Sequence, residues 1–251
     1  MSLTIIPAGF FHSDLSVLSP EAPRGRRLRI PVYTYLVRTK DSLILFDTGC
    51  SHRCRTDPAG LLGEDAVPLL TPVLTPDDHI SAQLRNLNLM PLDIDLVVNS
   101  HCHFDHAGGN EAFTNNAFGI QEAEYRAAET DRATYPDLAF QPPAPSRLTL
   151  FSGDTELAPG VSLLFTPGHT LGHQSLLVEL SDRAVLITSD AVYTRSHFSV
   201  DRLGAAKDPV LARKSLKRLL KLAEHGARPF FSHDPEQVRA EGWKLAPFEY
   251  A

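Results

Sequence analysis

The chain has 251 residues, 43% of them apolar, and its 30 acidic side chains exceed 24 basic ones to leave a net charge of −6. That supplies a sizeable core, expected as a single domain over residues 1–251, and gives no reason to expect a nucleic-acid or anionic-membrane partner. No run of about 18 apolar residues occurs, MSLTIIPAGFFHSD lacks the basic start of an export signal, and three cysteines make no disulfide framework, so a soluble cytoplasmic protein is expected.

IPVYTYLVRT and DSLILFDTG read as the two strands of a hairpin, with β-branched and aromatic residues on either side of a Lys40-Asp41 turn. Residues 50–76, rich in Gly, Pro and Thr, show no clear periodicity and read as a long loop of the kind that covers a substrate. Asp77 and Asp78 then stand ready to cap a helix whose apolar Ile80, Leu84 and Leu87 recur at i, i+4 and i+7. DIDLVVNS is a short buried strand, and it ends where NSHCHFDHAGGN begins. A helical stretch around QEAEYRAAET follows, then the proline-rich YPDLAFQPPAPSR, then strands near VSLLFTPG, QSLLVEL and AVLITSD. Asp208 and Pro209 supply an N-cap and a first-turn proline for the helix VLARKSLKRLLKLAEH, which Gly226 ends. Strands flanked by helices in both halves predict a layered α/β domain. SLILFDTG and AVLITSDA echo each other, each a buried strand finishing on an aspartate, Asp47 and Asp190.

His101, His103, Asp105 and His106 crowd into six positions of a loop at a strand end. On extended backbone His101 and His103 project to one side and offer two imidazoles to one cation, while Asp105 and His106 turn toward a neighbouring point. Two metals are implied, and each needs more ligands than this loop provides. His169 in TPGHTLGH, Asp190 and His233 in FFSHDPE all follow strands, where side chains converge on a common edge. Any one histidine alone would more often be a surface or core residue. HxHxDH followed by His about 60, Asp about 80 and His about 120 residues on is a specific pattern.

On these residues the chain resembles the metallo-β-lactamase superfamily, through LILFDTG, SHCHFDHAGGN, TPGHTLGHQSL, ITSDAVYT and FFSHDPE. The resemblance implies an αββα sandwich of two mixed sheets flanked by helices. Within the superfamily the chain is most similar to the N-acyl homoserine lactonases, on Tyr193 three residues after Asp190, the IPAG and IPVYTYL segments and the closing HDPE. It assigns His101, His103 and His169 to one metal, Asp105, His106 and His233 to the other, and Asp190 to both. Zinc suits such a set, as do manganese, iron or cobalt. The implied reaction is attack of a metal-bridging hydroxide on a lactone carbonyl, with Tyr193 stabilising the oxyanion and Asp105 protonating the leaving alkoxide. A homodimer is plausible on the same ground, and the partner is a small lactone.

Neighbouring residues carry rival readings. Asp47 would hold a ligand histidine or form a turn, His173 would orient the His169 loop or pack, and Cys102 is expected to point away from the metals. Cys50 and Cys54 lack a second pair for a zinc knuckle, and His12, His52, His79, His197 and His225 are expected to be ordinary surface or core residues. Arg213, Lys214, Lys217, Arg218 and Lys221 read as a solvated helix face, and Gly108 and Gly109 as a place where chains pass closely. Leu61, Leu62, Val67, Phe10 and Phe11 are candidates to touch an acyl tail. A glyoxalase II-type thioesterase would share the seven donors but not Tyr193, and it carries a long carboxy-terminal extension. A nuclease would show a basic surface, a β-lactamase would be exported, and a protein that only sequesters a signal would not need Asp105. Lactonases for γ-butyrolactone or a pyridoxine-derived lactone remain open on this sequence.

Overall fold

The structure, a computed structural model, describes residues 1–131, 135, 147–199 and 203–251; apart from Tyr135 and Arg147, the stretch YPDLAFQPPAPSR lies outside them. The first element is a strand that periodicity does not announce. β1, Ser2–Asp14, pairs antiparallel with β2, Arg27–Arg38, but the register shifts between Pro7 and Phe10, around Gly9 at φ +102°. That irregularity breaks the two-residue alternation by which a strand is read.

The expected hairpin forms between β2 and β3, Leu43–Phe46. β4, Leu70–Val73, adds to the outer side of β1, while β5, Leu96–Val98, β6, Ala117–Gln121, and β7, Leu148–Phe151, continue in parallel from β3. The first sheet therefore runs β4-β1-β2-β3-β5-β6-β7. The second runs β12-β11-β10-β9-β8, from β8, Thr155–Ala158, β9, Val161–Phe165, β10, Gln174–Glu179, β11, Ala184–Ser189, and β12, Ala227–Phe231. Its pairs are antiparallel except β11 with β12.

The helices of the described residues are, in order, α1, Leu15–Leu18, α2, Arg53–Thr56, α3, Pro58–Leu62, α4, Ile80–Asn86, α5, Glu122–Thr130, α6, Arg195–Ser199, α7, Pro209–Glu224, and α8, Gln237–Glu241. Between the sheets, Tyr33, Tyr35 and Val37 meet Leu163, Leu176, Ile187 and Phe230. On the outer face of the first sheet Ile6, Leu36 and Val97 meet Ile80 and Leu84 of α4. On the outer face of the second, Leu164, Leu186 and Phe231 meet Leu216 and Leu219 of α7. Helix, sheet, sheet, helix is the expected αββα sandwich, and burial of β2 on both faces explains why Ile30 to Val37 is apolar throughout but for the buried Thr34.

Two expectations need correction. Residues 50–76 are not one loop, because Asp57 accepts the N–H of Gly60 to start α3 behind Pro58, and β4 joins the sheet edge. Asp77 and Asp78 do not cap α4; they sit in a 3₁₀ turn, Pro76–Asp78, whose Asp78 carboxylate takes the Thr75 N–H, and His79 is the N-cap instead. α7 follows the sequence closely: Asp208 accepts from the N–H groups of Val210 and Leu211, and Gly226 stands just past its end at φ +101°. No helix of the described residues is long and apolar enough to cross a membrane.

Candidate metal centre

Topology brings the donors together. β9 and β11 each pair antiparallel with β10 and so run the same way, and β12 is parallel to β11. Their carboxyl ends therefore lie along one side, and from them extend His169, Asp190 and His233. The loop after β5, carrying His101 to His106, meets them there from the first sheet. Gly108 lets that loop pass the chain at Ser51, where a Cβ would stand 2.5 Å from the backbone nitrogen.

The seven expected donors fall into two groups, His101, His103, His169 and Asp190, and Asp105, His106 and His233, with donor atoms within 4.8 Å of one another in each. In the first, His169 Nε2 lies 3.2 Å from His101 Nε2 and 3.0 Å from His103 Nδ1. Asp190 reaches both groups: Oδ2 is 3.4 Å from His169 Nε2, and Oδ1 is 3.3 Å from both His106 Nε2 and His233 Nε2.

Hydrogen bonds on the far side of the rings set their tautomers. His106 Nδ1 lies 2.8 Å from Asp47 Oδ2, His233 Nδ1 2.9 Å from the Pro31 carbonyl, and His169 Nδ1 3.1 Å from the Ala205 carbonyl. His101 Nδ1 lies 3.0 Å from Ser100 Oγ, whose own hydrogen goes to Asp47. Each Nδ1 therefore carries a hydrogen, and whenever the ring is neutral its Nε2 lone pair is turned inward. Lone pairs facing one another and facing carboxylates at 3.2–3.4 Å repel unless cations or extra protons lie between them. His106 Nε2 is buried without a hydrogen-bond partner. The donor set fits two divalent cations.

Electrostatics separates the groups. Burial, reinforced by neighbouring imidazoles, holds His101 and His103 well below the ordinary imidazole pKa. Burial acts in the same direction on His106 and His233, but Asp190 and Asp105 overcome it and raise both, His106 strongly. Burial would raise Asp190, yet His106 and His233 hold it well below the usual carboxylate range. Metal entering the second group therefore displaces protons.

The surrounding residues resolve the rival readings. Asp47, at φ +61°, accepts from Ser100 N–H at 2.6 Å as well as from His106, so it both turns the chain and holds a ligand histidine. His173 ties off the His169 loop at its base, on Thr166, and also reaches beyond it. Burial lowers its pKa to about 3, so its neutral Nε2 accepts the Asp190 N–H at 3.0 Å while Nδ1 faces the Thr166 carbonyl. Cys102 packs among Ile120, Ala128 and Tyr135, as expected. Cys50 and Cys54 are buried free thiols. His79 begins α4, and His197 bonds Ser19 Oγ at 2.7 Å. Arg218 pairs with Asp154, whereas Lys214, Lys217 and Lys221 face solvent. Glu124, which sequence reading passes over, is fully buried beside Cys102.

A cavity of about 450 Å³ opens onto the donors. Its polar end is formed by His103, Asp105, His169, Asp190, His233 and Tyr193, and its other wall by Val17, Leu18, Ile30, Leu62, Ala66 and Leu70. Of the five apolar side chains expected against a tail, only Leu62 lines it. Leu61 and Phe11 are turned into the core, and Phe10 lies under the Arg29 guanidinium. The Tyr193 hydroxyl sits 2.9 Å from His169 Nδ1 and 3.3 Å from the Ala205 carbonyl.

An αββα sandwich with two adjoining His/Asp groups at one sheet edge defines a metal-dependent hydrolase of the metallo-β-lactamase type. The family model of the metallo-beta-lactamase superfamily matches residues 27–232. An N-acyl homoserine lactonase of Bacillus thuringiensis is 38% identical over 241 residues, 95% of each chain. The N-acyl homoserine lactonase AttM of Rhizobium johnstonii is 33% identical, covering 99% of this chain and 98% of its own. A solved N-acyl homoserine lactone hydrolase, with the product N-hexanoyl-L-homoserine bound at its catalytic metal centre, superposes with a TM-score of 0.90 at 35% identity, covering 99% of this chain and 98% of its own. The chain thus belongs to the metallo-beta-lactamase superfamily and, within it, to the N-acyl homoserine lactonase family.

Proposed function

We propose that this chain opens the lactone ring of N-acyl homoserine lactones and so quenches quorum-sensing signals. The observation that carries the proposal is the cavity itself, which joins a His/Asp donor edge to an apolar wall and so suits a small ester head with an apolar tail. The similarity to lactonases over nearly the whole chain supports the same substrate class. One domain over residues 1–251 is supported by a core that runs from Leu3 to Tyr250. A reducing compartment, the cytoplasm, is supported by the free thiols.

His101, His103 and His169 would hold one ion, Asp105, His106 and His233 the other, and Asp190 both; the imidazole-rich set favours zinc. Such a pair of ions supplies a water acidified toward neutral pH and a Lewis-acid contact to a carbonyl oxygen. The chain does the rest. Val17, Leu18 and Leu62 take the acyl tail and leave the ring at the polar end. The Tyr193 phenol is raised well above its usual pKa by burial and by Asp190, so it remains a donor, and a developing oxyanion can replace its long bond to the Ala205 carbonyl. Asp105, lining the same end, is placed to carry the proton given up by the attacking water to the departing alkoxide.

A proton-release assay on the zinc-loaded protein tests this with a panel of acyl homoserine lactones, γ-butyrolactone, a thioester and a phosphodiester. Turnover is expected on the acyl homoserine lactones above all others. Cleavage of the thioester or phosphodiester alone would overturn the proposal.

A further inference from the structure

Glu124 is not one of the seven donors, does not line the cavity and has no part in the reaction above. Yet it is a fully buried carboxylate, which is costly unless every acceptor site is satisfied. All four are. Oε1 accepts the Cys102 N–H at 2.9 Å and the Tyr135 hydroxyl at 2.7 Å. Oε2 accepts the Thr170 hydroxyl at 2.6 Å and the Gly172 N–H at 3.0 Å.

The partners sit on the chains that matter. Cys102 lies between His101 and His103, and Thr170 directly follows His169. One oxygen thus grips the loop from the first sheet and the other grips the loop from the second. Gly172 allows the grip, because a Cβ there would stand 2.1 Å from the Glu124 backbone nitrogen. Glu124 also occupies the first turn of α5, where the helix dipole favours a negative charge. The other group has its own buried carboxylate, Asp47, on His106.

We propose that Glu124 is a positioning residue: by clamping the His101–His103 loop to the His169 loop, it sets the affinity of that histidine group for its cation. The inference rests on the metal-dependent reading above. Glutamine keeps the length of the side chain but puts an NH₂ where one oxygen accepted two bonds. A hydroxyl can turn to suit it, but a backbone N–H cannot, so Glu124→Gln frees one loop.

The test is a competitive titration of zinc against a chromophoric chelator, on the unmodified chain, Glu124→Gln, His169→Ala and the double variant. The unmodified chain is expected to hold two ions. Glu124→Gln should keep one ion unchanged and weaken the other by about ten- to a hundredfold, the size seen when groups supporting metal ligands are lost. Added to His169→Ala, it should leave the remaining ion as tight as before, which identifies the group it acts on. Should Glu124→Gln fail to fold, Thr170→Val, which removes one of the four bonds, should weaken the same ion by a smaller factor. Two ions in the unmodified chain with neither weakened, or both weakened alike, would overturn the role of Glu124. Fewer than two ions in the unmodified chain would overturn the metal reading beneath it.

Discussion

At the scale of single residues, what surrounds a histidine decides what it can do. Asp47 fixes the His106 tautomer, and asparagine tolerates the same left-handed backbone while losing the charge. Asp47→Asn is expected to weaken zinc at the Asp105, His106, His233 group by about ten- to a hundredfold, read in a chelator titration. The same group should be the more sensitive to acid. Its raised histidines hold protons above the ordinary imidazole value, and protons compete with metal, so its affinity falls as pH falls through the neutral range. The depressed His101 and His103 bind no such competing protons there. Metal analysis of protein equilibrated between about pH 8 and 6 should find one ion lost before the other; parallel loss would refute this. Tyr193→Phe should lower kcat on acyl homoserine lactones by about a hundredfold while leaving zinc content at two, as expected for loss of an oxyanion donor.

The donors at this scale were legible because ligand chemistry restricts residue type and four of the seven stand within six positions. Glu124 was not legible: its partners Cys102 and Thr170 are far from it in sequence, and a glutamate in the first turn of a helix ordinarily reads as a solvated charge. His173 was only half legible, since its position beside the site said nothing of its bond to the Asp190 backbone.

Among the elements, α7 followed from its apolar stripe and its Asp-Pro start because both are local. β1 did not, since an irregularity at Gly9 hides its alternation, nor did α2 and α3, which are too short to show a period. These last two matter for specificity, because the segment they begin supplies Leu62, Ala66 and Leu70 to the cavity wall. Filling that wall with an indole should discriminate by tail length. Ala66→Trp is expected to lower kcat/KM for a decanoyl substrate at least about tenfold, equivalent to ~1.4 kcal/mol, while sparing a butanoyl one. Equal effects on both would show that the tail lies elsewhere.

For the molecule as a whole, no local signal states which strand lies beside which, so the two sheets were expected from the resemblance rather than from spacing. The outcome is a centre built across the sandwich, with donors from the first sheet's β5 loop and from the ends of β9, β11 and β12 in the second. Metals bound there stabilise the assembled sandwich over the unfolded chain, by about 2.7 kcal/mol per site at a hundredfold excess of free ion over Kd. At about 2–4 °C per kcal/mol for a chain of this size, a chelator should lower Tm by 10 °C or more. An unchanged Tm would mean that the ions do not link the sheets.

The order of these strands along the chain also has a consequence for biosynthesis. Asp190 directly follows β11 and completes the first group, whereas His233 follows β12, the last strand. At bacterial or eukaryotic elongation rates of about 5–20 residues per second, the ribosome finishes the donors of the first group seconds before it adds His233. A nascent chain thus carries one complete ligand set before it carries both, and the opportunity to take up a first ion precedes the opportunity for the second.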